Sequence, residues 1–160
     1  MIALPPRWRR SADPDRGVLV SARSPTASAT GVVPLIRLDV AAVTGTLHTW
    51  RERDLAAISS RRTDFELDDE DDFELNGRAV AYRRFVFRRG DDDLLCEQWA
   101  WLVDDRGYTL TCTVGWADYA DYSDLFEAVA DTFEPDEPAQ TPVARQDSPR
   151  LALSSRSATA

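Results

Sequence analysis

Leu94-Leu95-Cys96-Glu97-Gln98-Trp99-Ala100-Trp101-Leu102-Val103, then Asp104-Asp105-Arg106-Gly107, then Tyr108-Thr109-Leu110-Thr111-Cys112-Thr113-Val114 is the stretch whose reading decides the fold. The last segment alternates strictly. Tyr108, Leu110, Cys112 and Val114 fall on one side, and Thr109, Thr111 and Thr113 on the other, which is the period of a half-buried strand. The first segment carries large apolar groups at both parities. The four residues between them predict a turn closed by Gly107 at positive φ, forming a bulge. In that register Leu102 faces Leu110, Ala100 faces Cys112, and Trp99 and Trp101 fall beside Thr113 and Thr111. A two-residue turn swaps those faces. Downstream, Tyr122, Leu125, Phe126, Val129, Ala130 and Phe133 recur on a helical period and make one apolar stripe. A sheet apolar on both sides requires cover on both sides, and this helix supplies one cover.

Outward from that stretch, Val18 to Arg23 and Val33 to Val40 read as two strands joined by a small-residue loop. Thr44 or Thr46 caps a helix running to about Ser60. Its inward residues are read as Leu47, Trp50, Ala57 and Ile58, and its outer face as Arg51, Glu52, Arg53 and Asp54. Asp64 to Glu74 holds eight carboxylates in eleven residues. Asn76-Gly77 is a strong hairpin signal. It pairs Phe73 with Val80, Glu70 with Arg83 and Asp69 with Arg84. The expected organisation is a single α+β domain over residues 1–134 and a disordered tail over 135–160, where Pro, Ser, Ala and Thr replace apolar periodicity.

Composition limits the functional classes. The 160-residue chain has a net charge of −9, which disfavours nucleic acid and anionic membrane as partners. All 19 basic residues are arginine, a compositional bias of a high-GC bacterial source. No run approaches the roughly 20 apolar residues of a membrane span. Met1 to Arg10 has no apolar signal-peptide core, so a cytoplasmic location is expected. Cys96 and Cys112, about four rungs or roughly 13 Å apart in the bulged register, read as two buried thiols.

No catalytic or metal set emerges. The acidic run invites a calcium site at Asp68 to Asp72, but the glycine and glutamate of an EF-hand loop do not fit it. It reads more simply as a solvated edge partly paired with Arg83, Arg84, Arg88 and Arg89. His48, the sole histidine, has no nucleophile motif or second ligand. An enzyme of unknown class would have to work around His48 or Arg84. Glu97 and Gln98, mid-strand between apolar residues, read as sheet-edge or hydrogen-bonded residues, with a functional role on a covered face as the alternative. Trp99, Trp101, Trp116, Tyr119 and Tyr122 form an aromatic concentration that reads either as core or, with Arg84, as a binding surface, because aromatic residues are enriched at interface hot spots.

Four segments carry a family resemblance. Phe73-Glu74-Leu75-Asn76-Gly77-Arg78-Ala79, Glu97-Gln98-Trp99, Gly107 to Thr113, and Leu125-Phe126 with Thr132-Phe133 resemble the PsbP-like group, which includes PsbP, Mog, DcrB and the Eag chaperones. The likeness covers Val18 to Phe133. It implies an antiparallel sheet of about six strands with helices on both faces, an α/β/α sandwich. It also implies a non-enzymatic protein-binding module, an adaptor or a secretion-linked chaperone, with no cofactor and another protein as partner.

Overall fold

The computed structural model describes residues 1–135. The expected tail, apart from Pro135, lies outside the described residues. Seven strands form one sheet: β1 Arg9–Asp13, β2 Val18–Arg23, β3 Leu35–Ala42, β4 Thr63–Leu75, β5 Arg78–Arg89, β6 Asp92–Val103 and β7 Arg106–Gly115. Their order is β1-β2-β3-β7-β6-β5-β4, with every pairing antiparallel. The long strand β6 is interior, and β1 and β4 are the two margins. Two helices, α1 Leu47–Ser59 and α2 Ser123–Ala130, and a 3-10 turn at Trp116–Asp121 complete the main elements.

The Asn76-Gly77 hairpin forms as the sequence predicts. Phe73 pairs with Val80, Glu70 with Arg83 and Asp69 with Arg84. Both turn residues take positive φ, 52° and 75°, as a turn matched to strand twist requires. The acidic run is strand along its length, interrupted by two register shifts.

The second hairpin departs from expectation. Val103 pairs with Arg106, Trp101 with Tyr108 and Trp99 with Leu110. The turn is therefore two residues long, with Asp104 and Asp105 at φ 47° and 60°. Aspartate tolerates the left-handed region better than most side chains because its short carboxylate bonds locally. Both tryptophans consequently join the face of Leu110 and Cys112 rather than that of the threonines. Gly107 has no positive φ. It is glycine because a Cβ there would sit 2.6 Å from the Trp50 ring and 2.5 Å from Val43. The thiols also change place. Cys96 faces Thr113 and Cys112 faces Glu97, so they sit on neighbouring rungs but on opposite faces. Both are free and buried, and burial raises the pKa of each, that of Cys96 to about 11.

The expected six-stranded α/β/α sandwich, with a helical layer over each face, is not what forms. The described residues are 49% strand and 22% helix, the strands number seven, and only two helices of 13 and 8 residues are present. Two short helices do not build helical layers over a sheet whose four longest strands run to 10–13 residues. The strand missed by the sequence reading is β1, Arg-Arg-Ser-Ala-Asp, which is largely exposed and pairs through backbone alone. It offers no apolar alternation to read.

The main core lies on the tryptophan face. Phe126 and Val129 of α2, with Phe133 just beyond it, pack with Trp99, Trp101 and Leu110. The Trp101 and Phe133 rings stack at 4.1 Å. Each such side chain contributes about 1.5–3 kcal/mol on burial. Ile2, Leu4 and Trp8 pack against the same core. A smaller core of Val32, Phe85, Phe87, Leu94 and Cys96 lies on the other face, with Ile58 of α1 and Phe65 against it. Among the described residues no helix is long and apolar enough to cross a membrane.

Candidate functional site

Glu97 and Gln98 are neighbours on β6, both buried, and the strand period sends them to opposite faces. Their partners on β5 alternate likewise, Arg84 beside Glu97 and Arg83 beside Gln98.

On the Gln98 face the polar groups close on one another. Gln98 Oε1 accepts from Arg83 Nε at 2.8 Å and Arg51 Nη2 at 2.9 Å, and its amide donates to Thr111 at 2.9 Å. Asp54 accepts from Arg51 and Arg83. Arg83 also donates to the Arg51 carbonyl at 3.2 Å. Arg51 is 4% exposed. Burial and the adjacent Arg83 charge lower its pKa to about 10, against the pull of Asp54. The helix that carries Arg51 begins at Thr46, whose hydroxyl accepts from the Thr49 amide while Thr49 returns a bond to the Thr46 amide. This capping box sets the start of α1. Arg51 was read as outward, yet it follows Leu47 by four residues and precedes Ile58 by seven, the spacing of the inward stripe. Residue type misled where spacing was informative.

On the Glu97 face lies a cavity of about 500 Å³ between β4, β5, the 3-10 turn and α2. Glu97, Trp99, Tyr82, Arg84 and Tyr119 line it, with Asp69, Glu70, Asp71, Phe73 and Leu75 from β4 and Glu127, Ala130 and Asp131 from the α2 side. Glu97 is 1% exposed. Its Oε1 accepts from the hydroxyls of Tyr82 at 2.6 Å and Tyr119 at 2.7 Å. Its Oε2 has no partner. Burial raises the Glu97 pKa, opposed by the two tyrosine hydrogen bonds and the Arg84 charge. Both tyrosines are raised, by burial first and by the carboxyl they serve. Burial would lower Arg84, but its bonds to Asp68 and Tyr119 outweigh that and raise it.

Tyr119 is held from behind. The neighbouring Asp118 is buried, and its Oδ2 accepts from the hydroxyls of Ser28 and Thr30 and from the Thr30 amide at 3.2 Å. Burial would raise the Asp118 pKa; those donors outweigh it and lower it.

Of the residues singled out by sequence, Trp99, Tyr119 and Arg84 meet in this cavity. Trp101 is 1% exposed and part of the main core. Tyr122 packs on Phe126 with ring centres 5.9 Å apart. Trp116 is 60% exposed and does not line the cavity. His48 is exposed on α1 and sits 3.3 Å from Glu52. Along the acidic run, Asp68 and Asp69 lie near Arg84 and Asp64 near Arg88. Among the described residues no three His, Cys, Asp or Glu side chains are grouped to hold a metal. Glu97 was not among the binding residues singled out from the sequence, and neither were Tyr82, Glu127 and Asp131, which also line the cavity. The available signal was parity, since Glu97 shares a face with Trp99 and Trp101.

No family model and no curated protein sequence matches the chain. Solved structures do. The crystal structure of PA94, a Pseudomonas aeruginosa protein of unknown function, matches with a TM-score of 0.68 at 18% identity, covering 84% of this chain and 90% of that one. LpqN of Mycobacterium tuberculosis, involved in cell envelope biogenesis, matches with a TM-score of 0.64 at 10% identity, covering 81% and 78%. The solution structure of cyanobacterial PsbP from Synechocystis sp. PCC 6803 has a TM-score of 0.48 at 14% identity, covering 79% and 91%. These neighbours agree with the PsbP-like resemblance read from the sequence. At such identities the likeness concerns the fold alone.

Proposed function

We propose that the chain is a protein-binding module of the adaptor kind, which takes a short segment of another protein into the cleft bounded by β4, β5, the 3-10 turn and α2. The observation that carries this reading is the cavity itself. Its floor combines an aromatic wall, Trp99 and Tyr82 at 5.4 Å between ring centres, with a buried carboxyl. Its edge carries Phe73, which is 37% exposed. Concave sites that join apolar walls to a few convergent polar groups are the usual binding sites of proteins. The adaptor reading is preferred to a chaperone for apolar segments. The exposed large apolar residues among those described are five, Met1, Val33, Leu67, Phe73 and Trp116, drawn from separate parts of the sequence, whereas a chaperone for apolar segments calls for a contiguous patch of several hundred Å².

Panning a random peptide library over the full chain tests the reading. A consensus sequence is expected, and Phe73→Ala should abolish its enrichment. Failure to enrich any consensus, or full retention by that variant, counts against it.

A further inference from the structure

We propose that the cavity over Glu97 is a site for a single organic cation, an alkylammonium or alkylguanidinium of the kind carried by lysine and arginine side chains. The inference rests on the binding reading above and names the chemistry that the cleft selects.

Three independent observations converge on it. The first is an unmet acceptor. Glu97 is almost wholly buried on an interior strand, and two tyrosine hydroxyls converge on Oε1 while Oε2 has none. A buried polar atom without a partner is costly and uncommon. Here it belongs to a residue that lines a cavity open to outside donors.

The second observation is charge. Five carboxylate residues border the cavity, Asp69, Asp71, Glu97, Glu127 and Asp131, against one cation, Arg84, while Glu70, opposite Arg83 on the ladder, acts on Arg83 and Arg51 of the other face. Arg84 is already committed to Asp68 and Tyr119. Its guanidinium also lies 5.3 Å from the centre of the Tyr119 ring. An anion entering the cavity would be repelled, whereas a cation would be drawn in and its field strengthened by the low-dielectric walls.

The third is the wall chemistry. Trp99, Tyr82 and Phe73 form a chain of ring contacts at 5.4 and 6.4 Å. Aromatic faces hold alkyl stems and attract cationic heads. A bare metal ion would gain nothing from such walls, and no metal-holding group of side chains is present among the described residues.

The groups around Glu97 are Tyr82 and Arg84 from β5, Tyr119 from the 3-10 turn, Glu127 and Asp131 from the α2 side, Asp69 and Asp71 from β4, and Cys112 across the ladder on β7. A bound cation favours the ionised carboxyl, which burial disfavours. Affinity therefore falls as pH is lowered through the raised Glu97 pKa.

The test is a titration of the full chain followed by amide and indole NMR shifts. The probes are butylguanidinium and butylammonium, with butyramide as the neutral match. Saturable shifts at Glu97 and at the Trp99 indole are expected with the cations and not with butyramide. Glu97→Gln should weaken binding at least tenfold, while Glu52→Gln, which removes a carboxylate from α1 away from the cavity, should not change it. If Glu97→Gln does not fold, the rim pair Asp71→Asn with Glu127→Gln should weaken binding several-fold. Two further arms separate the sources of the cation. Acetyl-Gly-Arg-Gly-amide binding tighter than butylguanidinium assigns the site to a partner's side chain, and equal affinity assigns it to a free amine; either result supports the cation site. Absence of cavity shifts at tens of millimolar cation overturns the proposal, as does unweakened binding by Glu97→Gln. A library peptide that occupies the cleft without Lys or Arg, and is not displaced by butylguanidinium, overturns it while leaving the adaptor reading intact. Cation binding without any peptide consensus does the reverse.

Discussion

Two adjacent rungs of the β5–β6 ladder carry the same ingredients, an arginine opposite a residue of glutamate shape, and end in opposite conditions. Arg83 and Gln98 face α1, where Asp54, Arg51 and Thr111 take up their hydrogen bonds. Arg84 and Glu97 face the cavity, where the arginine leans outward to Asp68 and the carboxyl keeps one oxygen unmet. The difference lies in cover. A helix that brings its own polar side chains satisfies what it buries. On the other face, α2 supplies apolar groups to the core and leaves the carboxyl to two tyrosines. The closed rung holds the fold together, and the open one is available for binding.

Four substitutions probe that contrast. The largest effect is expected on the closed side. Arg83→Ala removes one member of a buried charged network and should cost about 3–5 kcal/mol, read as a lowered denaturant midpoint. A loss below about 1 kcal/mol, the range of exposed pairs, would equate the two rungs and erase the contrast. Gln98→Ala should come next. It leaves arginine N–H groups without their acceptor, at about 1–3 kcal/mol, measured in the same way.

On the open side, Glu97→Gln tests the sign of the carboxyl's contribution. Glu97 holds its proton more tightly folded than unfolded. As pH rises above the ordinary glutamate range, the unfolded chain releases that proton first, so wild-type stability falls until pH passes the raised folded value. The glutamine variant lacks this loss. Its stability relative to wild type should therefore grow between about pH 4 and the raised pKa; a difference that stays flat with pH contradicts the assignment. The smallest effect is expected for Arg84→Met, which breaks a bond to the half-exposed Asp68 and should cost less than about 1 kcal/mol while leaving the Arg83 network untouched. Thermal melts of the two arginine variants side by side sharpen the comparison directly.

How much of this was legible depended on whether the signal was backbone or packing. Asn76-Gly77 specified its register to the residue, because both positions need positive φ and few other pairs supply it. Tyr108 to Val114 and the Phe126-to-Phe133 stripe were legible for the same kind of reason, a period unbroken by polar intrusions. Asp104-Asp105 was misread because Gly107 looked like the turn residue, when its role is to admit the Trp50 ring. That one-residue choice reversed the faces and hid the cavity, since the orientation of Glu97 follows from it. Arg51 was misread because charge was weighed above spacing. The sandwich came from the apolar residues on both faces of the strands together with the family likeness, and neither weighed the length of the strands, which left little chain for helices. The cavity is an arrangement of five separate segments, and no local pattern announces it.

The Asp118 clasp has a consequence for the cleft. Ser28 and Thr30 belong to the β2–β3 loop, which begins on the far side of the sheet from β4, and they grip the residue next to Tyr119. The tyrosine that serves Glu97 is thereby tethered to a remote loop. One of the two donors to Glu97 thus sits on a turn anchored by the β2–β3 loop, so a substitution at Ser28 or Thr30 is expected to be felt at the cleft.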